Sequence, residues 1–275
     1  MKKSTLAVGI AAACLAVPAF AGPAFGVSTE ILRLKFDESL GAGVVNYPTG
    51  QVIADNVAPA QDGVLDLQGT SAGFITQVTS PISGFGKAMK FGNAGCGTST
   101  CTSQGVIKIE DSTSGVFTPG SGNFEWGATV QVTSAVTGTM GMNVIQKGRS
   151  ATEDMWKLQL DGGKASCILK IDNATPASNF GRAETTSPLT VGSNYKLRCK
   201  RVGTALTLVV TEFAANGTQI GLPVTYTNSG PVGSATGTLD HFGSADDVFI
   251  GAKGTPNSPD QLRNTIIDTV TYWAG

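Results

Sequence analysis

Residues 123–132 read Asn-Phe-Glu-Trp-Gly-Ala-Thr-Val-Gln-Val, the longest stretch of this chain in which apolar positions recur at every second residue. Successive side chains of a β-strand point to opposite faces of the sheet. One face of this stretch therefore collects its large apolar side chains: Phe124, Trp126, Ala128, Val130 and Val132. The pattern predicts a strand that buries one face, and the turn-like residues 119–122 place its beginning.

The same period of two recurs along much of the chain, between glycine-rich turns. It predicts strands at residues 32–36, 156–160, 167–171, 195–199, 206–210, 248–251 and 266–273. Residues 155–171 are predicted to form a β-hairpin, because Asp161-Gly162-Gly163 interrupts the alternation. Residues 41–63 and 173–187 are predicted to be long loops. The whole pattern is typical of an all-β fold, an antiparallel β-sandwich or jelly roll, with residues 22–275 in one domain.

The composition excludes several classes of protein. Of the 275 residues, 36 are glycine and only 14% are charged, which argues against a coiled coil. The 19 basic and 20 acidic residues give a net charge of −1. A nucleic-acid-binding surface would need a basic excess, so no nucleic-acid partner is expected. The single histidine leaves little material for a histidine-rich metal centre.

Residues 1–21 have the three parts of a secretory signal peptide. A start with two lysines precedes an apolar run over residues 6–17, and small residues follow at the predicted cleavage site after Ala21. The run is too short to span a bilayer, which takes about 20 residues. We therefore expect a secreted, extracellular protein with no membrane span in its mature form. A retained membrane anchor and a lipoprotein on Cys14 are disfavoured alternatives.

Four cysteines remain after such a cleavage, an even number that suits disulfides in an oxidising compartment. Cys96 and Cys101 flank a short, flexible segment that can close on itself, which leaves Cys167 to pair with Cys199. The rival interpretation is a zinc site with four thiolates, although neither pair has the usual two-residue spacing.

Four stretches of the chain form a recognisable set: residues 34–38 (LKFDE), 123–130 (NFEWGATV), 144–148 with 156–161, and 249–251 continuing to 272. Together they resemble the laminin G-like, concanavalin A-like lectin/glucanase domains of secreted bacterial proteins. The chain departs from the family pattern at Leu262, Asn264 and Asn194-Tyr195. The resemblance implies a concanavalin A-like jelly roll with a cysteine in each of the strands that hold Cys167 and Cys199.

The resemblance also implies a structural Ca²⁺ where the chain ends meet, and the matching positions are Asp37 and Asp268. Calcium takes six to eight oxygen ligands, so two carboxylates would supply only part of the site. The alternative is that Asp37 caps a turn and Asp268 accepts a hydrogen bond from a backbone amide. Asp246-Asp247 is a second, weaker candidate whose simpler explanation is a solvated loop.

No catalytic residues are predicted. Glycosidases of this fold carry Glu-x-Asp on one strand, where alternate residues share a face, and that motif does not occur in the sequence. The related alginate lyases would need Gln-x-His, and the only histidine, His241, has no such glutamine. The sequence does not decide whether the protein is an enzyme, and it favours a non-catalytic protein.

Binding of sugars requires exposed aromatic faces, and Trp156, Tyr195, Trp273 and Tyr272 are the candidates. Trp156 shares a face with Leu158 and Leu160, which favours a place in the core instead. The prediction is a secreted, non-catalytic protein that binds carbohydrate or a surface, with a polysaccharide or a cell-surface glycan as its partner. The alternatives are a structural or adhesive cell-envelope protein that binds another protein, and a polysaccharide lyase or glycoside hydrolase with an atypical site.

Overall fold

The computed structural model describes residues 28–41, 46–69, 74–96, 101–111, 115–135, 141–149, 153–171, 180–228, 238–240, 242, 247–254 and 260–275. Within these ranges two eight-stranded sheets pack against each other, and every strand pairing in them is antiparallel. The expected all-β sandwich is confirmed.

The first sheet contains the central strand predicted above. Its hydrogen-bonded order is β14 (Gln219–Thr227), β13 (Ala205–Phe213), β12 (Asn194–Val202), β7 (Phe124–Val132), β16 (Thr265–Ala274), β5 (Lys87–Phe91) and β4 (Ile75–Thr79). The eighth strand, β1 (Thr29–Leu34), pairs with the carboxyl-terminal half of β16, whereas β5 pairs with its first residues. The two ends of the described chain therefore lie side by side in this sheet.

The second sheet contains the predicted hairpin. Its order is β11 (Phe180–Glu184), β10 (Lys164–Lys170), β9 (Met155–Asp161), β8 (Met142–Gly148), β15 (Val248–Ile250), β6 (Ser103–Ile109), β3 (Gly63–Gly69) and β2 (Val52–Ile53). Strands β9 and β10 pair from Asp161 with Lys164 to Met155 with Lys170, which confirms the hairpin.

Two predicted loops are partly wrong. Residues 41–63 include the short strand β2, and residues 173–187 include β11. Both are edge strands of the second sheet, and neither has enough alternating apolar positions to be predicted from the sequence.

The core between the sheets is built from the inward faces of the alternating strands. Trp126, Trp156 and Tyr272 are fully buried there, and the ring of Trp156 stacks on Tyr272 with centroids 5.3 Å apart. Phe124 stacks on Trp126 at 4.8 Å. Burying such large aromatic side chains contributes strongly to stability, because each removes roughly 150–250 Å² from water.

Both predicted disulfides are present. Cys96 bonds to Cys101, and Cys167 on β10 bonds to Cys199 on β12, with 5.5 Å between the Cα atoms of the second pair. Cys167 and Cys199 are both fully buried, so this bond joins the two sheets inside the core.

Strand β14 is the outermost strand of the first sheet, and its apolar side chains are uncovered. Ile220 is 50% exposed, Leu222 87% and Val224 51%. Pro223 lies between two of them, and Gly221 has a φ of +66°, outside the range of an extended strand. Within the described residues, no helix reaches the length and hydropathy needed to cross a bilayer.

Candidate functional site

A groove of about 670 Å³ lies on the outer face of the first sheet, which points away from the core. Its floor forms where β16, β7 and β12 lie side by side. On β16 the lining residues are Thr269, Thr271 and Trp273, and they alternate with the core residues Val270 and Tyr272. The alternation that buries one face of these strands therefore presents the other face to a ligand.

The strand register arranges the floor in three rows that run from β16 through β7 to β12. The rows are Trp273, Glu125 and Lys200; Thr271, Gly127 and Arg198; and Thr269, Thr129 and Lys196. Gly127 leaves the middle of the floor without a side chain. A Cβ at this position would lie 2.1 Å from the carbonyl oxygen of Leu197, so only glycine fits here.

Ion pairs hold several of the charged side chains in place. Lys200 Nζ lies 2.9 Å from Glu125 Oε2, and Arg198 Nη1 lies 3.4 Å from Glu125 Oε1. On the neighbouring strand β1, Arg33 donates to both carboxylate oxygens of Glu30, at 2.9 and 2.5 Å. These pairs fix the directions of polar groups that could bind hydroxyls or acidic groups of a ligand.

Two further cations of the groove, Lys35 and Lys196, have no carboxylate within salt-bridge distance among the described residues. Partial burial lowers the pKa of Lys196, and the positive charge of Arg198 lowers it further. In total the groove is lined by five cationic side chains and four carboxylic acids. An anionic ligand group would therefore find cations that are not already neutralised.

Three aromatic side chains border the groove: Trp273, Phe85 and Phe213. Trp273 and Phe213 are partly exposed, and Phe85 is 40% exposed. Phe85 lies at the tip of the turn between β4 and β5, between Gly84 and Gly86, whose φ angles of +87° and +83° favour glycine. The turn brings this ring to the groove from a distant part of the chain.

Asp37 and Asp268 line the same groove, so the structure brings the two predicted calcium ligands to one site. Asp37 Oδ1 accepts a hydrogen bond from the backbone N–H of Lys87, at 2.7 Å. Asp268 lies in a β-bulge of β16 and is 2% exposed. Its Oδ1 accepts a hydrogen bond from the Thr269 hydroxyl, while its Oδ2 is buried without a hydrogen-bond partner.

Burial raises the pKa of the Asp268 carboxyl, and the negative charge of Asp37 raises it further, although the nearby hydroxyl groups of Ser80 and Thr269 act in the opposite direction. A cation at this position would relieve the repulsion between the two carboxylates. Among the described residues, no cluster of three His, Cys, Asp or Glu side chains has a metal-binding arrangement. A calcium ion here would therefore need backbone carbonyl and water oxygens as its other ligands.

The structure contradicts two of the predicted sugar-stacking residues. Trp156 is fully buried between the sheets, where its ring stacks on Tyr272, so it is a core residue. Tyr195 is 7% exposed, points inward from β12, and accepts a hydrogen bond from the backbone N–H of Thr190. Tyr272 is fully buried as well. Of the four aromatic candidates, Trp273 alone lines the groove.

Several predictions lie outside the described residues. They are the signal peptide at residues 1–21, His241 and Asp246. They therefore remain predictions from the sequence.

The sequence did not identify Phe85, Phe213 or the three cations of β12, Lys196, Arg198 and Lys200, as site residues. The pattern for the cations was present, because they alternate with Leu197 and Cys199 on a strand whose other face is buried. Phe85 could have been found because it lies between two glycines. Such a sequence is typical of a turn, where an aromatic ring is exposed.

No protein-family model matches the chain, and no curated protein matches it significantly. Solved structures do resemble it. Domain 4 of AbnA, a GH43 extracellular arabinanase from Geobacillus stearothermophilus, described in complex with arabinotriose, is 14% identical with a TM-score of 0.53. The match covers 90% of this chain and 93% of that domain.

The binding domain of botulinum neurotoxin serotype G is 12% identical with a TM-score of 0.49, over 89% of this chain and 47% of that one. At 14% identity the likeness to the arabinanase domain concerns the fold alone, a sandwich of two antiparallel β-sheets. The expected β-sandwich architecture is thus supported, without a demonstrated family.

Proposed function

We propose that the chain is a non-catalytic, carbohydrate-binding protein whose ligand occupies the groove on the outer face of the first sheet. The observation that carries the proposal is the lining of this groove, which combines partly exposed aromatic rings with threonine hydroxyls and fixed charges. Sugars need both: an apolar face for their C–H groups and polar groups for their hydroxyls. The arabinanase domain described with arabinotriose supports the proposal, because a sandwich of this fold accommodates an oligosaccharide.

The charges of the groove favour an acidic saccharide over a neutral one. Five cations face four carboxylic acids, and Lys35 and Lys196 on opposite sides of the floor are not neutralised by a described carboxylate. A uronate or sulfate group beside either lysine would form charge-assisted hydrogen bonds with it. We therefore expect binding to weaken as the salt concentration rises.

The experiment that tests the proposal is a screen of neutral and acidic polysaccharides, followed by calorimetry on the best ligand with two matched variants. Trp273→Ala removes a ring from the groove, whereas Phe180→Ala removes an exposed ring from the second sheet. We expect Trp273→Ala to weaken binding by about tenfold, since losing a contact of about 1.4 kcal/mol has that effect. Phe180→Ala should leave the affinity unchanged.

Binding to none of the polysaccharides, or equal loss in both variants, would contradict the proposal. Release of reducing ends or of unsaturated products during the screen would favour the lyase or hydrolase alternative. Capture of one protein partner that is insensitive to added saccharide would favour the adhesive alternative.

We further propose that Asp37 and Asp268 hold a structural Ca²⁺ together with backbone and water oxygens. The unpartnered, buried Oδ2 of Asp268 supports this, because a bound cation would satisfy it. Adding Ca²⁺ to metal-free protein should raise the thermal midpoint, and Asp268→Asn should abolish that increase. An unchanged midpoint in the wild-type protein would contradict the calcium site.

We infer that the protein works outside the cytoplasm. Two disulfides support this location, since such bonds persist in oxidising compartments. The predicted signal peptide is tested by sequencing the amino terminus of the protein from culture medium, which we expect to begin at Gly22.

A further inference from the structure

A lysine and an aspartate form an ion pair that is completely buried inside the sandwich, and neither residue lines the groove. Lys147 lies near the end of β8, and Asp111 follows the last residue of β6 by two positions. Both side chains are 0% exposed, and Lys147 Nζ contacts Asp111 Oδ2 directly. Strand β15 lies between β6 and β8, so the pair connects segments that are not neighbours in the sheet.

Two phenylalanines contact this pair. Lys147 Nζ lies 4.7 Å from the centre of the Phe242 ring. The backbone N–H of Phe117 faces both carboxylate oxygens of Asp111, at 3.3 and 3.4 Å. The ring of Phe117 packs against the ring of Tyr272, with their centroids 5.1 Å apart. The buried hydroxyl of Tyr272 has no hydrogen-bond partner.

Such surroundings make a charged pair expensive, because the desolvation of two ions offsets much of their attraction. Transfer of a proton from the ammonium to the carboxylate produces a neutral amine and a neutral carboxylic acid. A neutral lysine amine is a nucleophile, and here it is held against the carboxyl group at a position where both side chains are 0% exposed.

We propose that Lys147 and Asp111 become joined by an intramolecular amide bond between Nζ and Cγ after the chain has folded. The amine nitrogen attacks Cγ, and the Phe117 N–H stabilises the oxygen that gains negative charge. The C–O bond to the hydroxyl then breaks, and the hydroxyl leaves as water with a proton from the nitrogen. One amine and one carboxylic acid thus give one amide and one water, without an oxidant or cofactor.

The bond would covalently link β8 to the segment that connects β6 with β7. This link lies at the end of the sandwich where the large aromatic side chains meet. Unlike Cys167–Cys199, it would survive in reducing conditions. Its consequence is a second covalent link in the core, independent of the redox state of the surroundings.

Mass spectrometry of the purified, folded protein tests the proposal without any variant. Residues 109–147 contain no internal lysine or arginine, and an amide at Lys147 blocks trypsin there. Trypsin should therefore release residues 109–149 as one peptide that lacks the mass of one water. Further cleavage after Glu110 and Glu125 should leave residues 111–125 joined to residues 126–149.

The control is the nearby ion pair between Lys108 and Asp247, in which the lysine side chain is 43% exposed and Nζ lies 3.1 Å from the carboxylate. Trypsin should cut after Lys108 normally, because water keeps this pair charged. Asp111→Ala should restore both the full mass of the peptide and cleavage after Lys147.

A full-mass peptide from the wild-type protein would overturn the proposal. A peptide that lacks one water but separates into two fragments after cleavage at Glu125 would overturn it too, because a cyclised aspartate would then explain the mass. Persistence of the linked fragments after reduction and denaturation is the result we expect.

Discussion

Replacing Cys167 and Cys199 together by alanine should destabilise the protein by about 4 kcal/mol. The disulfide closes a separation of 32 residues, and loop closure of that length is worth about 3.7 kcal/mol in the chain-entropy treatment. Both cysteines are fully buried, so the small cavity left by two sulfur atoms adds to the loss. A loss of this size is a large part of a typical stability of about 5–15 kcal/mol.

Urea unfolding followed by tryptophan fluorescence measures the effect, because Trp126 and Trp156 are buried in the folded state. The matched control is the double alanine variant of Cys96 and Cys101, which are only five positions apart. Closing that short loop is worth about 2 kcal/mol. The reasoning fails if the second variant loses as much stability as the first, or if the first loses less than about 1 kcal/mol.

Three further outcomes follow from the geometry. Asp268→Asn should stabilise the metal-free protein near neutral pH, because burial raises the pKa of Asp268 and makes its ionisation unfavourable in the folded state. In urea unfolding, the gain in unfolding free energy should vanish as the pH falls through the raised pKa towards the ordinary value of 3.8. Gly127→Val should cost about 3 kcal/mol or more in unfolding free energy, because its Cβ meets the Leu197 carbonyl oxygen. Trp156→Ala should cost about 3–5 kcal/mol by the same measurement while leaving saccharide affinity in calorimetry unchanged.

The sequence predicted the strands in which apolar residues recur at every second position. In β12 this alternation separates a buried face from a more accessible one. Strands β7, β9 and β10 keep the alternation although most of their residues are buried. Strand β8 was not predicted from its periodicity, because the adjacent apolar residues Val144 and Ile145 interrupt the alternation and the next two residues, Gln146 and Lys147, are both polar.

The candidate site was predicted less completely than the fold. Trp273 was found because it ends an alternating strand, and Asp37 and Asp268 were found through a family resemblance. Phe85 reaches the groove only because β5 pairs with the start of β16, a contact between segments about 180 positions apart. Trp156 and Trp273 look alike in the sequence, and only the position of each strand face relative to the second sheet separates the buried ring from the exposed one.

The outermost strand β14 has a consequence for the behaviour of the protein at high concentration. A free sheet edge with uncovered apolar side chains can template the addition of strands from other molecules, which leads to fibrous aggregates. Pro223 offers no N–H to an incoming strand, and the positive φ of Gly221 bends the backbone out of line two residues earlier. The two residues therefore act as a barrier to polymerisation at this strand, whose exposed side chains would otherwise favour it.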